Sequence, residues 1–479
     1  MTKIISVFAI LFMGAMPAWA DWPAASAELG ARDHPKILQR FGGEIQNPAL
    51  SAYVAAVGAQ IVAVSEFSDE DWHFTVLDSA EVNAFALPGG YIYVTRGLLA
   101  LANNESELAA VLAHEITHVV EAHVEARLDA QADALVDGAV SALVTGLFGG
   151  GENRVGDAVR NGVETALGQI GAYSKEQEFA ADAGGIALLR AAGYRPAAQA
   201  DFLATMSANA ALKAQIAGRE YNEAEAPFFA NHPAPAERQL QALALAGDSE
   251  GRRGTEEFLA QINGMIYGES ARGGFIRGQS FVHTELGFYF NAADGLRIQN
   301  AARQINILGP NRSTLIMSGG RGVEDLRAAL QAWTAQISRQ DRQSRSIENL
   351  REIEINGMEA ATGTLRIRKR GQRSTLRLTV IRFNGGLIRF AGTVQRGDDL
   401  SAELHDETIR SFNRLSEEGA AEYLQLLITT HRVEAGETIQ DLWSQMAVRG
   451  YPEEVFRVIN GLSEEDELVE GQMVKLVSY

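Results

Sequence analysis

His114-Glu115-Ile116-Thr117-His118 places two histidines four residues apart with a glutamate beside the first. Positions i and i+4 lie on one face of a helix, so both imidazoles can reach one ion. The surrounding residues predict that helix. Asn104-x-x-Glu107 reads as a capping box at its start, and Leu108, Val111, Leu112 and Val119 supply a buried stripe. Neutral imidazole suits zinc, which lowers the pKa of a water it binds to about 7. Glu115 sits one residue round, where a carboxylate can take a proton from water and pass it to a leaving amine. The pattern is that of a zinc peptidase helix, weighed against a surface helix that merely carries two histidines.

Two histidines do not complete such a site, because a catalytic zinc takes three protein ligands and keeps one open position. The metzincin pattern would put Gly at 121 and His at 124, where this chain has Glu121 and Val124. His123 lies five residues beyond His118, about 140° round a helix, and is poorly aimed as a ligand. A carboxylate from a second helix is therefore expected. Ser174 to Asp182 opens one: Ser174 and Gln177 form a capping box, and Gly193 and Pro196 mark its end. Glu178 and Asp182 share a face. One can bind metal while the other accepts a hydrogen bond from the far nitrogen of a ligand imidazole. Spacing does not rank Glu178 against Glu176.

The chain has 479 residues, enough for roughly three domains. A net charge of -19 argues against nucleic acid as a partner. The absence of cysteine excludes disulfides, thiolate nucleophiles and Cys-ligated zinc. Residues 1–20 read as a secretory signal peptide, with Lys3, an apolar run from Ile4 to Met13, and Ala18-Trp19-Ala20 before the cut. No later stretch reaches 18 uninterrupted apolar residues, and Val136 to Gly151 reads as a loop or short helix, so no transmembrane span is expected after signal removal. Residues 21–247 are Ala-rich and mainly helical, with one strand pair. Residues 248–279 read as a linker around a helix from Thr255 to Tyr267. Residues 280–427 read as an α+β domain, with strands at Phe281–Phe290, Thr314–Met317, Leu350–Ile355, Gly363–Arg368 and Thr375–Arg382, a helix at Val323–Ile337, and Asn384-Gly385 as a hairpin turn. Residues 428–479 read as strand–helix–helix–strand.

Several motifs in order resemble the HtpX and CAAX prenyl endopeptidase family, in its soluble periplasmic, BepA (YfgC)-like branch. They are Asn83-Ala-Phe-Ala-Leu-Pro-Gly-Gly90, Tyr91 to Leu99, the His-Glu-x-x-His helix, Glu178-x-x-Ala-Asp182, and Asn231-His-Pro233 with Arg238. The resemblance covers about residues 30 to 245. It implies a mainly α, gluzincin-type zinc metallopeptidase domain with a small sheet, and one Zn²⁺ held by His114, His118 and Glu178. Asp182 would stand behind a ligand imidazole and Arg238 would stabilise charge or orient the site. Asn83, Ala84 and Phe85 would begin an edge strand on which an extended peptide pairs. His232 would either donate to the oxyanion or close the open zinc position and hold the enzyme latent. Expected substrates are misfolded or stalled envelope polypeptides, outer-membrane proteins among them, in the periplasm. The helical repeats that BepA-like proteins carry behind the peptidase have no counterpart here. Residues 280–427 have a PsbP/Mog1-like texture. His431 to Ile439, Phe456 to Gly461 and Leu468 to Leu476 resemble a LysM domain, which implies binding to glycans such as peptidoglycan, although Glu437 replaces the usual Asp. Rival readings are a chaperone with a latent zinc site and a peptidoglycan hydrolase.

Overall fold

The computed structural model describes residues 24–124, 173–216, 218, 220–222, 232–233, 235–301, 304–320, 322, 325–340, 346–369, 372–448 and 450–479. The expected signal peptide, the segment Val136 to Gly151, and Asn231 lie outside them. Among the described residues no helix is long and apolar enough to cross a membrane.

The N-terminal part is helices around a small sheet. Its elements are α1 (Ala24–Arg40), α2 (Pro48–Val62), β1 (His73–Leu77), β2 (Ala84–Leu87), β3 (Tyr91–Thr95), α3 (Arg96–Leu101), α4 (Glu105–Val120), α5 (Lys175–Ala191), α6 (Ala198–Ile216) and α7 (Pro235–Ala246). The sheet order is β1-β3-β2. β1 runs parallel to β3 and β2 antiparallel to it, so β2 is an outer strand. Alternation along β2 serves two cores. Ala84 and Ala86 join α4 in the main cluster, whereas Phe85 and Leu87 meet Ile37 of α1 on the other side.

The helix that carries the histidines is fixed at its start. Asn104 accepts from the Glu107 amide at 3.0 Å. The expected reciprocal bond is replaced by bonds to Glu107 from the Asn103 amide and the Asn104 side chain, so the box is only half formed. Glu105, buried, accepts from Tyr53 and Tyr194 hydroxyls at 2.6 and 2.7 Å. α5 packs closely along α4 because Gly184 has no side chain: a Cβ there would lie 2.5 Å from the Thr117 methyl.

After α8 (Thr255–Ile262), which stops five residues short of the expected Tyr267, the chain turns to strands. β4 (Phe275–Arg277), β5 (Ser280–His283) and β6 (Phe288–Asn291) form a sheet with β14 (Asn413–Arg414). The single strand expected at Phe281–Phe290 is thus a hairpin, turned at Gly287 with φ 71°. A seven-stranded sheet follows: β7 (Arg297–Ala301), β8 (Gln304–Leu308), β9 (Thr314–Gly320), β10 (Glu348–Ile355), β11 (Met358–Lys369), β12 (Gln372–Phe383) and β13 (Gly386–Gln395), in the order β10-β11-β12-β13-β9-β8-β7. Asn384 and Gly385, with φ 45° and 74°, form the expected two-residue turn between β12 and β13. α9 (Leu326–Gln340) covers one face, packing Leu330 on Leu365 and Leu378. α10 (Asp399–Arg410) and α11 (Glu417–Ala421) close this region.

The C-terminal residues are β15 (Leu427–Arg432), α12 (Ile439–Trp443), α13 (Pro452–Ile459) and β16 (Met473–Ser478), with β15 and β16 antiparallel. They do not build a core of their own. Ile428, Leu442, Phe456, Val474 and Val477 belong to the same buried cluster as Leu108 and Leu112 of α4. Lys475, 1% exposed, donates its ammonium to the carbonyls of Ala100, Leu101 and Ala102 at 3.1, 3.2 and 2.6 Å, capping the end of α3. Burial pushes the Lys475 ammonium down and the nearby Glu107 carboxyl up, each offset by the other's charge. Lys475→Met removes the cation and leaves Glu107 buried without it. The expected loss is about 3 kcal/mol, a fall of roughly 6–12 °C in the calorimetric transition of this core. An unchanged melt would mean that the tail is a loosely docked addition.

Candidate metal centre

α4, α5, α7 and His232 just ahead of α7 bring the sequence-selected residues together. His114, Glu115, His118, Glu178, Asp182, His232 and Arg238 are all buried, at 0–2% exposure. Nε2 of His118 lies 3.1 Å from Nε2 of His114 and 3.4 Å from Oε1 of Glu178, and Nε2 of His114 lies 3.6 Å from Oε2 of Glu178. Ligands at about 2.0–2.2 Å round a tetrahedral zinc stand about 3.3–3.6 Å apart, so these atoms fit one face of such a site. Nδ1 of His232 sits 3.0 Å from Oε1 of Glu178 and 3.4 Å from Nε2 of His114, as a fourth vertex. The four side chains can hold a metal, with ligand atoms all within 4.8 Å of one another. Glu176, the alternative that spacing left open, is exposed and outside this group.

The remaining groups hold the donors in place. Nδ1 of His114 donates to Oδ1 of Asp182 at 2.9 Å, which turns Nε2 inward. Arg238 grips Asp182 with two bonds, at 2.6 and 2.8 Å, and also pairs with Glu178. Burial pushes the Asp182 carboxyl up, but Arg238 and His114 outweigh it and bring it down to about 2. Burial likewise opposes the Glu178 charge, and His232 and Arg238 overcome it, holding that carboxyl well below its usual range. Burial keeps His118 well below the usual imidazole value, hence neutral and able to bind metal. Glu115 is different: neither of its oxygens has a hydrogen-bond partner among the described residues, and Nε2 of His232 is 3.7 Å from one of them. An interior carboxylate without hydrogen bonds is costly, and it is the kind of group a nearby cation would stabilise.

Asn83 is buried ahead of β2, its side-chain oxygen without a hydrogen-bond partner among the described residues. Ala84 and Phe85 pair with Val94 and Tyr93 of β3. Three contacts were not read from the sequence. Gln199 of α6 donates to Asp182 at 2.6 Å. Tyr173 stacks on His118 with ring centroids 3.7 Å apart. His123 is outside the donor group, but its Nδ1 is 3.1 Å from Nδ1 of His118. Nothing local in the sequence signals these three contacts.

The description "Peptidase family M48" matches residues 48–245. The Beta-barrel assembly-enhancing protease of Escherichia coli (strain K12) is 29% identical over 200 residues, which is 41% of this chain and 39% of that protein. The chain thus spans about two fifths of the length of that relative. The Mitochondrial metalloendopeptidase OMA1 of Schizosaccharomyces pombe is 48% identical over 63 residues, 13% of this chain and 19% of that protein. The solution structure of cyanobacterial PsbP from Synechocystis sp. PCC 6803 aligns over 29% of this chain and 98% of that one, at 15% identity and a TM-score of 0.25, too low to carry an argument. Residues 48–245 are thus similar to peptidase family M48, and four of the residues they carry, His114, His118, Glu178 and His232, form a group that could hold a metal ion.

Proposed function

We propose that this protein is a zinc-dependent endopeptidase of the cell envelope, acting in the periplasm on misfolded or stalled polypeptides and kept latent by His232. The observation that carries the reading is the triangle of His114, His118 and Glu178 donor atoms at 3.1 to 3.6 Å, with the Glu115 carboxylate beside it, free of hydrogen bonds among the described residues. His114, His118 and Glu178 would hold the metal. When bound, zinc supplies a Lewis acid that polarises a peptide carbonyl and makes water acidic near neutral pH. Glu115 takes the proton from the attacking water and delivers it to the departing amine. Asp182 keeps His114 in the tautomer that points Nε2 inward, and Arg238 keeps both carboxylates charged and aimed. β2 offers its outer edge to an extended substrate strand, which reads backbone rather than sequence. The Asn83 oxygen at its start can accept one more substrate N–H. The envelope assignment draws on the likeness to the Escherichia coli protease and on the expected signal peptide. The glycan-binding expectation for residues 428–479 is a separate proposal, decided by whether the purified chain sediments with peptidoglycan.

His232 places Nδ1 at the fourth vertex, which favours the latent role at rest. A substrate strand that displaces it frees the imidazole to stabilise the oxyanion. His232→Ala should then raise hydrolysis of small, weak substrates and lower hydrolysis of good protein substrates by roughly 10²-fold, the effect of losing one oxyanion donor. Rates measured on a fluorogenic peptide and on casein decide this; if neither changes, His232 has neither role.

A further inference from the structure

We propose that His123 is a positioning residue for His118, delivered by a left-handed turn at Ala122. This rests on the zinc reading of the site. Continued helix would carry His123 away from His118, about 140° round the axis. The helix does not continue. α4 ends at Val120, the Ala122 amide bonds to Val119 at 3.0 Å, and Ala122 has φ 54°. A non-glycine residue in this region is strained, because its Cβ crowds the following carbonyl, and such strain persists where the surroundings impose it. The turn folds His123 back over the end of α4. Its ring centroid stands 5.3 Å from that of His118, and its Nδ1 stands 3.1 Å from Nδ1 of His118. Its other nitrogen, Nε2, is 3.2 Å from Oε2 of Glu121.

With His118 as a ligand, these contacts assign a direction to each proton. His118 turns Nε2 toward His114 and Glu178, so as a ligand it must keep that nitrogen free of hydrogen. Its Nδ1 then carries the proton and donates it to Nδ1 of His123. That leaves the His123 hydrogen on Nε2, where it donates to the Glu121 carboxylate. The His118 side chain is fully buried and that of His123 only 12% exposed, so the imidazole partner stands where water would otherwise serve. His114 is held through the same ring position by Asp182, so each ligand histidine has its own anchor.

The test uses the full-length chain. Zinc affinity is measured by chelator competition, the visible spectrum is recorded after cobalt(II) loading, and the metal-free chain is melted. His123→Leu is expected to weaken zinc binding by roughly 10- to 100-fold, shift the cobalt bands, and leave the metal-free melting temperature unchanged. Ala122→Gly, which adopts the same turn without strain, should keep native affinity, and Ala122→Val should lose it. Native affinity and spectrum in His123→Leu overturn the proposal alone, as does a loss in Ala122→Gly equal to that of His123→Leu. A native chain that holds no zinc overturns this proposal and the zinc reading together.

Discussion

Glu178→Ala is expected to strip the protein of its metal. The side chain is fully buried, with its two oxygens 3.4 and 3.6 Å from the facing nitrogens of His118 and His114. Its removal deletes the only carboxylate in the donor group and its share of the compensation for the Arg238 charge. The loss of zinc affinity should exceed the roughly 100-fold that marks removal of a residue behind a ligand. Asp182→Asn should fall within that roughly 10- to 100-fold range, because His114 loses a charged acceptor but keeps its place. Glu176→Ala, two residues earlier on the helix and exposed, should bind zinc as the native chain does. Zinc titration of the three variants side by side gives the ranking; equal retention in all of them would place the third ligand elsewhere.

Glu115→Gln carries the second large effect, and it falls on rate rather than on metal. The substitution keeps the shape of the side chain and removes its capacity to accept a proton. Glu115 is not among the four donors, and its oxygens bond to nothing in the described structure, so the helix and the ligand geometry have no reason to move. Loss of a general base costs roughly 10²-fold or more in hydrolysis.

The site was legible because its spacing is local. His114 with His118, and Glu178 with Asp182, each follow helix periodicity within one helix, and the two helices form as their caps predict. The choice of Glu178 over Glu176 needed the packing of α5 on α4, which Gly184 permits and no spacing encodes. His123 shows where periodicity fails: the phase argument assumes that the helix continues, and Ala122 breaks it. In the α+β region the Asn384-Gly385 turn was visible because two adjacent residues set its geometry, whereas the Gly287 turn hid inside an alternating run. The C-terminal residues are a different case. Their strand–helix–helix–strand order is local, but the burial of Lys475 against α3 joins positions more than 370 residues apart. Contacts of that range leave no periodic trace in a single sequence.

The most direct test of the whole account is one preparation of the native chain and one of Glu115→Gln, each assayed for bound zinc by elemental analysis and for casein cleavage with and without chelator. One zinc per chain is expected in both, with chelator-sensitive casein cleavage by the native protein and cleavage reduced by at least roughly 10²-fold in the Gln form. Zinc-free native protein, or undiminished cleavage by Glu115→Gln, would contradict it.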